Sequence, residues 1–340
     1  MKLAEERPLD GEEESFVSII RPMTADRHKS STAGGEKQTR RSKTRGIEQS
    51  EYGGGDGVPE RLRRGVFAKP KTYKAYVRFS GPGPDSPPDI EDVGFVSCAI
   101  KLMGVPGQKL LDDEKHTQDF LSICTPTFVT PTVVANADLQ KQILRGTPLF
   151  YFFTPGSSHV RDFLMQSLWN ETQYNPLEAR YWSTVPYLLG EGQAMMYSVK
   201  SRVTTRSRIP KVPFRPPDNY LRDNMVAMLK ARDVELDFMV QVQTDPYRMP
   251  IENAGVRWPE SLSPFVPVAT VRIPKQTFNS DAQFAFARNL SLNPWHCIAE
   301  HRPLGNQSRA RKRMYYEMAT FRQKMNDTPH IEPIGDEVFE

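Results

Sequence analysis

The stretch VELDFMVQVQ (residues 234–243) alternates apolar and polar side chains with a period of two. Successive side chains of a β-strand point to opposite faces, so this period predicts a strand with one face in a core. The inward positions are Val234, Leu236, Phe238, Val240 and Val242, and the outward positions are Glu235, Asp237 and Gln241. A half-buried strand of this kind is typical of an antiparallel sheet.

Other segments repeat this pattern or show a helical one. KAYVRFS (74–80) places Ala75, Val77 and Phe79 on one face and Tyr76, Arg78 and Ser80 on the other. Strands are also predicted at 94–104, 194–201 and 267–274, and helices at 136–145, 159–169, 218–232, 280–289 and 306–325. Asp218 is placed to cap the third of these helices. Because long helical insertions separate the strands, without regular strand–helix–strand alternation, we predict an α+β fold built on an antiparallel β-barrel.

Composition restricts the partners and the compartment. The 340 residues carry 45 basic and 41 acidic side chains, a balance that does not indicate a nucleic-acid partner. Three widely spaced cysteines (98, 124 and 297) favour a reducing compartment over a disulfide framework. The N-terminus lacks a secretory signal, and no run of about 18 apolar residues predicts a transmembrane segment. We therefore expect a cytoplasmic protein, with peripheral membrane contact left open.

The character of the chain changes near residue 57. Residues 1–57 combine low hydrophobicity with mixed charge and end in the glycine cluster GGGDG, which predicts a partly flexible arm. Within this arm, SFVSII (15–20) predicts a short helix or strand. We expect the main domain to span residues 58–327 and a C-terminal tail to follow at 328–340.

Motifs for several reaction classes are missing from the sequence. WHCIAEH (295–301) offers metal-binding residue types, but no second ligand pair at a compatible spacing accompanies them, so we expect His296 and His301 to be structural. Neither a GxxxxGK[ST] phosphate loop nor a GxSxG nucleophile motif occurs. The sequence therefore gives little support for kinase or hydrolase chemistry.

The stretch RARKRMYYEMATFR (309–322) predicts a helix with an arginine–tyrosine stripe. Arg311, Tyr315 and Arg322 are four and seven residues apart, so they lie on one helix face. A cation within hydrogen-bonding reach favours the ionised form of a phenol, whose usual pKa is near ~10. A solvated basic helix with a half-buried tyrosine is the alternative interpretation.

Six stretches, taken together, resemble the catalase-like haem protein superfamily, and in particular its small catalase-related members. They occur in the same order as in that superfamily, and the similarity spans roughly residues 40 to 325. The stretches are RGVFAKPKTYKAYVRFS, DVGFVSCAIKLMGVPG, TQDFLSICTPTFV, RYWSTVPYLLGEG, NPWHCIAEHRPLG and SRARKRMYYEMATFR. The resemblance implies an antiparallel barrel with helical insertions, a C-terminal haem-ligand helix and haem b as the cofactor.

The resemblance also implies roles on the proximal side of the haem. An R-x-x-x-Y pair on a helix supplies the iron ligand in this superfamily, and Arg311 and Tyr315 match it, with Tyr315 as the ligand. Arg322, seven residues later, matches an arginine that contacts a haem propionate. Tyr316 with Lys312 has the same spacing and is the competing assignment. Tyr315 is preferred because arginines stand at both expected offsets.

Further cofactor contacts follow from the same resemblance. Arg78, in the RFS strand, matches a second propionate partner. Lys43, in the second half of the arm, holds a basic position that reaches a propionate. Phe128 is expected among the walls of the haem pocket.

The distal side departs from the family pattern. Arg41 stands where the resemblance places a distal histidine, unless His28 fills that role after a long insertion. Ile123 and Cys124 replace the distal asparagine, while Ser80 is retained. Arginine stays protonated and cannot accept a proton, although it stabilises negative charge, so Arg41, Ser80 and Cys124 are the expected catalytic residues of an atypical pocket.

The resemblance and these departures together predict a haem enzyme. We expect it to act on a peroxide or an organic hydroperoxide, including fatty-acid hydroperoxides, with weak or no dismutation of hydrogen peroxide. The alternative is a haem-binding protein without peroxide turnover. Homo-oligomer formation is left open.

Overall fold

The computed structural model describes residues 1–20, 44–54, 57–81, 88–91, 94–156, 158–211 and 215–339. Its strands are β1 (Thr44–Gly54), β2 (Thr72–Ser80), β3 (Ser97–Leu102), β4 (Gln118–Ile123), β5 (Arg180–Trp182), β6 (Tyr187–Leu188), β7 (Ala194–Ser201), β8 (Val234–Val242) and β9 (Val266–Ile273). Eight of them close into an antiparallel ring in the order β5–β4–β3–β2–β1–β9–β8–β7, because β5 pairs with both β4 and β7. The short β6 extends the sheet beside β7. The predicted antiparallel barrel is confirmed.

Helices surround this barrel. Within the described ranges they are α1 (12–20), α2 (Val133–Leu144), α3 (Leu149–Phe153), α4 (Val160–Trp169), α5 (Tyr220–Ala231), α6 (Asp281–Asn289) and α7 (Asn306–Met325). None of these helices has both the length and the apolar character needed to cross a bilayer. The predicted cap of α5 is wrong by one residue, because Asn219 rather than Asp218 stands at the N-cap.

The main core fills the barrel. Ala75, Val77 and Phe79 on β2 point into it, as their alternation predicts, and Phe238 on β8 packs there with them. Gln241 is the exception to the predicted pattern, because it is buried although it faces away from the barrel interior. Its side-chain amide donates to the carbonyls of Trp258 and Ser263, at 3.2 and 2.8 Å, so a loop covers this part of β8.

A second, smaller core lies on the outer face of β2, β3 and β4. Tyr76, Ala99 and Leu121 contribute one side chain each from the three strands, and helix α6 covers them with Ala287. Tyr315 on α7 packs against this cluster. The fold thus brings the arginine–tyrosine helix to the outer wall of the barrel, next to the strand that carries Arg78.

Segments of the predicted arm and of the predicted tail both pack with the main domain. Strand β1 belongs to the predicted arm, and it pairs with β2 and β9 inside the ring. In the predicted tail, the ring of Phe339 lies 5.1 Å from that of Phe286 on α6. The division into an arm, a main domain and a tail stays a prediction.

Candidate functional site

The arginine–tyrosine pair of α7 lies at the barrel wall. One turn of helix separates Arg311 from Tyr315, and the Nη2 atom of the arginine lies 3.4 Å from the phenolic oxygen. The guanidinium carbon is 5.1 Å from the centre of the tyrosine ring. Arg311 is buried, whereas Tyr315 is half-buried at the edge of the second core. The side chains therefore form the stripe that their spacing predicts.

Burial and charge act in opposite directions on Arg311. Burial disfavours its charged form, but attraction to Tyr315 and Tyr187 outweighs burial and raises the pKa of Arg311. The guanidinium therefore remains a cation inside the protein. Such a cation stabilises negative charge on a neighbouring phenolic oxygen, which is the property that an anionic oxygen ligand requires.

The competing pair is placed differently. Tyr316 is 46% exposed, and the ammonium group of Lys312 lies 4.8 Å above the ring of Trp295 rather than beside Tyr316. Helix geometry turns Tyr316 about 100° away from Tyr315, toward solvent. This arrangement favours Tyr315 as the ligand, an assignment that stays a prediction.

Arg78 reaches the same region from β2. Its Nη1 atom donates to the carbonyl of Ala287 at 3.3 Å, which fastens the side chain to α6. Burial lowers the pKa of Arg78, while attraction to Tyr315 and Asp119 opposes that effect. Its buried Nε atom has no hydrogen-bond partner in the part of the chain that the structure describes. Buried N–H groups normally have an acceptor, so Arg78 retains capacity for one.

Arg322 lies two turns beyond Tyr315 on α7. Its Nη2 atom donates to the carbonyl of Leu290 at 3.1 Å. Leu290 belongs to the second core that Tyr315 also contacts. Arg78 and Arg322 therefore approach the outer barrel wall from a strand and from a helix respectively.

These residues fit a haem in their chemistry. Tyr315 offers the oxygen donor and Arg311 a buried cation beside it. Arg78 and Arg322 offer guanidinium groups of the kind that bind carboxylates such as propionates. The unpartnered Nε of Arg78 is the observation that indicates a missing acceptor.

Two of the positions predicted on the distal side, Ser80 and Ile123, lie in one row across the sheet. Ser80, Ser97, Ile123 and Trp182 are paired in register on β2, β3, β4 and β5. Directly paired residues of an antiparallel sheet project from the same face. Ser80 is buried, and its hydroxyl lies 2.6 Å from that of Ser97. The residue of β4 that stands in this row is Ile123.

Cys124 and Phe128 lie outside this row. Cys124 follows the end of β4 and packs against the main core, with its sulfur accepting from the backbone N–H of Val96 at 3.2 Å. Phe128 also packs against the main core, and its backbone N–H donates to Ala254. Their predicted places in the haem pocket stay predictions. Three further candidates, Arg41, Lys43 and His28, lie outside the described residues.

A buried charge network near Arg78 escaped the sequence reasoning. Lys101 on β3 is fully buried and forms ion pairs with Glu114 and with Asp119, the latter at 2.8 Å. The imidazole of His296 lies 2.9 Å from Asp119 and 3.0 Å from Asp113. The sequence places Lys101 on the outer face of its strand, where a lysine is normally solvated. It would have predicted acidic partners only if the loop that covers this face had been known.

The network has the residue types of a metal site but already contains its own cations. Glu114, Asp119 and His296 present ligand atoms within 4.8 Å of one another. The ammonium group of Lys101 contacts both carboxylates. The two imidazole nitrogens of His296 each face a carboxylate at hydrogen-bond distance, as a protonated ring would. We therefore interpret the network as structural.

The chain resembles known proteins in its structure but not detectably in its sequence. No family model and no curated protein sequence matches the chain. Among solved structures, a bacterial catalase superposes with a TM-score of 0.63 at 16% identity, covering 100% of this chain and 66% of the catalase. A fungal catalase superposes with a TM-score of 0.60 at 14% identity, covering 100% of this chain and 68% of the catalase. Catalase A from Saccharomyces cerevisiae superposes with a TM-score of 0.60 at 13% identity, covering 100% of this chain and 71% of the catalase. The chain thus spans about two thirds of the length of these catalases, and it has a catalase-like fold.

Proposed function

We propose that the protein is a haem-dependent oxidoreductase of the catalase-related type. Its substrate is a peroxide or an organic hydroperoxide, and it dismutates hydrogen peroxide weakly or not at all. The observation that carries this proposal is the buried Arg311 beside Tyr315 at the wall of a catalase-like barrel.

The proximal residues would hold haem b. Tyr315 is the proposed iron ligand, and the Arg311 cation beside its oxygen would stabilise the negative charge of the bound ligand. Arg78 and Arg322, with Lys43 as a third candidate, are the proposed propionate partners. When bound, the haem supplies an iron centre that exchanges electrons with a peroxide.

The distal residues set the expected reaction. Arg41 is permanently protonated, so it can polarise or hold an anionic oxygen but cannot take up the proton that a distal histidine would accept. General acid–base assistance is typically worth ~10²–10⁴ in rate. Ser80 and Cys124, the other proposed catalytic residues, are no replacement for a neutral imidazole. This reasoning favours slow hydrogen peroxide dismutation.

Haem binding without peroxide turnover is the second candidate. It is favoured by the Ser80 hydroxyl, which already lies 2.6 Å from that of Ser97, and by the apolar Ile123 in the same row. Both features reduce the polar groups offered to a substrate at that position.

An absorption spectrum followed by peroxide addition tests both candidates. We expect the purified, haem-loaded protein to show a high-spin ferric spectrum that changes on adding a fatty-acid hydroperoxide. A ferric spectrum that neither hydrogen peroxide nor the hydroperoxide alters would favour the second candidate. Failure to bind haem at all would exclude both. A cytoplasmic location stays a prediction, and homo-oligomer formation stays open.

A further inference from the structure

Helices α3 and α4 expose many large apolar side chains. Six of them are between 41% and 69% exposed: Leu149, Phe150, Phe153, Val160, Leu164 and Leu168. We call these six residues the apolar face. Single exposed apolar residues are ordinary on protein surfaces, but a contiguous group of them indicates an interaction site.

Helix geometry places the six side chains on one surface. Val160, Leu164 and Leu168 are spaced by four residues, so they form a stripe along α4. Helix α3 lies against α4, since the rings of Phe153 and Phe163 are 5.0 Å apart. The apolar side chains of both helices are therefore neighbours.

The core does not account for the apolar face. Tyr151 and Phe152 are the buried residues of α3, and they pack with Ala135 and Leu139 of α2. The remaining positions of the LFYFF helix point away from this cluster and are also apolar. A helix that is apolar on all sides is normally covered on all sides.

Basic side chains stand beside the apolar face. Arg145 and Arg161 are exposed, and neither takes part in an ion pair within the described ranges. The nearby acids are engaged: Asp138 pairs with Lys141, and Asp162 accepts from the hydroxyl of Tyr151 at 2.9 Å. Lys141, Arg145 and Arg161 outnumber these two carboxylates, so the border of the face has a net positive charge, as has the whole chain at +4.

We propose that the apolar face docks on the surface of a bilayer that contains anionic phospholipid. Leucine and phenylalanine side chains enter the boundary between headgroups and acyl chains, and arginines bind the phosphates above them. A second copy of this chain fits less well. In a twofold dimer both copies bring the same border, in which Lys141, Arg145 and Arg161 outnumber Asp138 and Asp162, so the net charges that meet have the same sign.

The position of the apolar face indicates what substrate docking would supply, an inference that rests on the proposed function. Helix α4 ends at Trp169, and this residue lines a cavity of about 350 Å³. Cys124 and Trp182 lie in the wall of the same cavity, and Trp182 is in register with Ile123 and the Ser80 row. A bilayer on the apolar face would thus adjoin a cavity beside the proposed distal residues. The substrate class inferred from this arrangement is the hydroperoxide of a membrane lipid.

Vesicle sedimentation of the full-length protein tests the docking without any need for turnover. Wild type should pellet with vesicles of phosphatidylcholine and phosphatidylserine, and less with phosphatidylcholine alone. The double variant Leu164→Glu/Leu168→Glu should bind at least about 10-fold more weakly, since each change places a charge in the apolar boundary. Its matched control is Ile331→Glu/Ile334→Glu, whose side chains are 67% and 69% exposed away from the face.

A second pair of variants tests the charges. Arg145→Gln/Arg161→Gln should lose the preference for phosphatidylserine, whereas Lys230→Gln/Arg248→Gln, exposed elsewhere, should keep it. The proposal is overturned if wild type pellets with neither vesicle, or if the leucine variant pellets like wild type. The proposal is also overturned if the wild type is a dimer that binds no vesicle and the Leu164→Glu/Leu168→Glu variant is a monomer.

Turnover of a water-soluble hydroperoxide separates this inference from the proposed function. Cumene hydroperoxide consumption should be equal in wild type and in the Leu164→Glu/Leu168→Glu variant, because this substrate reaches the protein from water and not from a membrane. Vesicle binding without any turnover would leave the docking in place and remove the proposed function.

Discussion

The Nη2 atom of Arg311 lies 3.4 Å from the phenolic oxygen of Tyr315, one turn along α7. Arg311 is buried, and attraction to the phenolic oxygens of Tyr315 and Tyr187 holds its charge against burial. A buried cation of this kind favours a partner that bears negative charge. A tyrosinate bound to ferric iron is such a partner.

Replacing Tyr315 by Phe should abolish the ferric tyrosinate spectrum. The substitution removes the oxygen donor and keeps the ring that packs against the second core. The measurement is the visible spectrum of the reconstituted variant together with its haem content. Tyr316→Phe is the matched control, since Tyr316 is the exposed neighbour. Loss of the spectrum in the control, with retention in Tyr315→Phe, would shift the ligand by one residue.

Replacing Arg78 by Ala should weaken haem binding by about 10- to 100-fold. Charge-assisted hydrogen bonds are individually worth roughly 1.5–3 kcal/mol, and tenfold in affinity corresponds to about 1.4 kcal/mol. The measurement is the rate of haem transfer to an excess of a high-affinity acceptor protein. Arg202→Ala is the control, because Arg202 is exposed and pairs with Glu235 and Asp237 on the opposite part of the barrel. Unchanged haem release from Arg78→Ala would remove Arg78 from the site.

Local sequence patterns predict several of the strands and helices of the fold. The period of two in 234–243 and in 74–80 predicts β8 and β2, because side chains of a strand alternate whatever their partners are. Short elements such as β5, β6 and α3 were not predicted, since two to five residues show no readable period. Burial of Gln241 was equally hidden, because the loop that covers it comes from residues 258–263.

The candidate site divides in the same way. Arg311 and Tyr315 could be paired from their spacing, since one helix turn joins them. The network of Lys101, Asp119 and His296 could not be predicted from the sequence. Its members are up to 195 residues apart and meet only when the loop of His296 covers β3 and β4. His296 therefore had the residue type of a ligand but no visible partner in the sequence.

Wild-type protein should release oxygen from hydrogen peroxide far more slowly than a catalase, and Arg41→His should raise the rate. A histidine can accept the proton that Arg41 cannot, which is worth up to ~10²–10⁴ in rate when the geometry allows it. The measurement is oxygen evolution normalised to haem content. Rapid release by the wild type would show that a distal base already exists, and His28→Gln would then be the variant that identifies it.

Replacing Gly65 by Ala should destabilise the protein. Gly65 has φ +55°, and a Cβ atom there would lie 2.3 Å from Nε2 of His301. That nitrogen accepts the backbone N–H of Val66 at 3.0 Å, so the clash would also disturb a buried hydrogen bond. Gly57→Ala is the control, because Gly57 has φ +86° but open space around it. Urea unfolding should show a clearly larger loss of stability for Gly65→Ala, and equal losses would mean that only the backbone angle matters.

The pH dependence of stability should reveal the charge on His296. Burial and the neighbouring Lys101 disfavour its protonated form, but hydrogen bonds to Asp113 and Asp119 outweigh them and raise its pKa from 6.5 to about 9. A group whose pKa is raised by folding contributes fully below its unfolded pKa, and that contribution is lost as the pH rises through the folded pKa. The free energy of unfolding should therefore fall between pH 6.5 and 9, by up to about 1 kcal/mol per pH unit from this one group.

The variant His296→Gln isolates this contribution. Glutamine can still hydrogen-bond one carboxylate but carries no charge, so the stability difference from wild type should be greatest at pH 6.5 and should shrink toward pH 9. His301 does not interfere: burial lowers its pKa to about 4 in the folded state, and its titration in the unfolded state is the same in both proteins and cancels in the difference. The measurement is urea unfolding of both proteins at several pH values. A difference that stays constant across this range would mean that folding does not raise the pKa of His296, and Lys101 and Arg78 would then offset the charge of Asp119 without it.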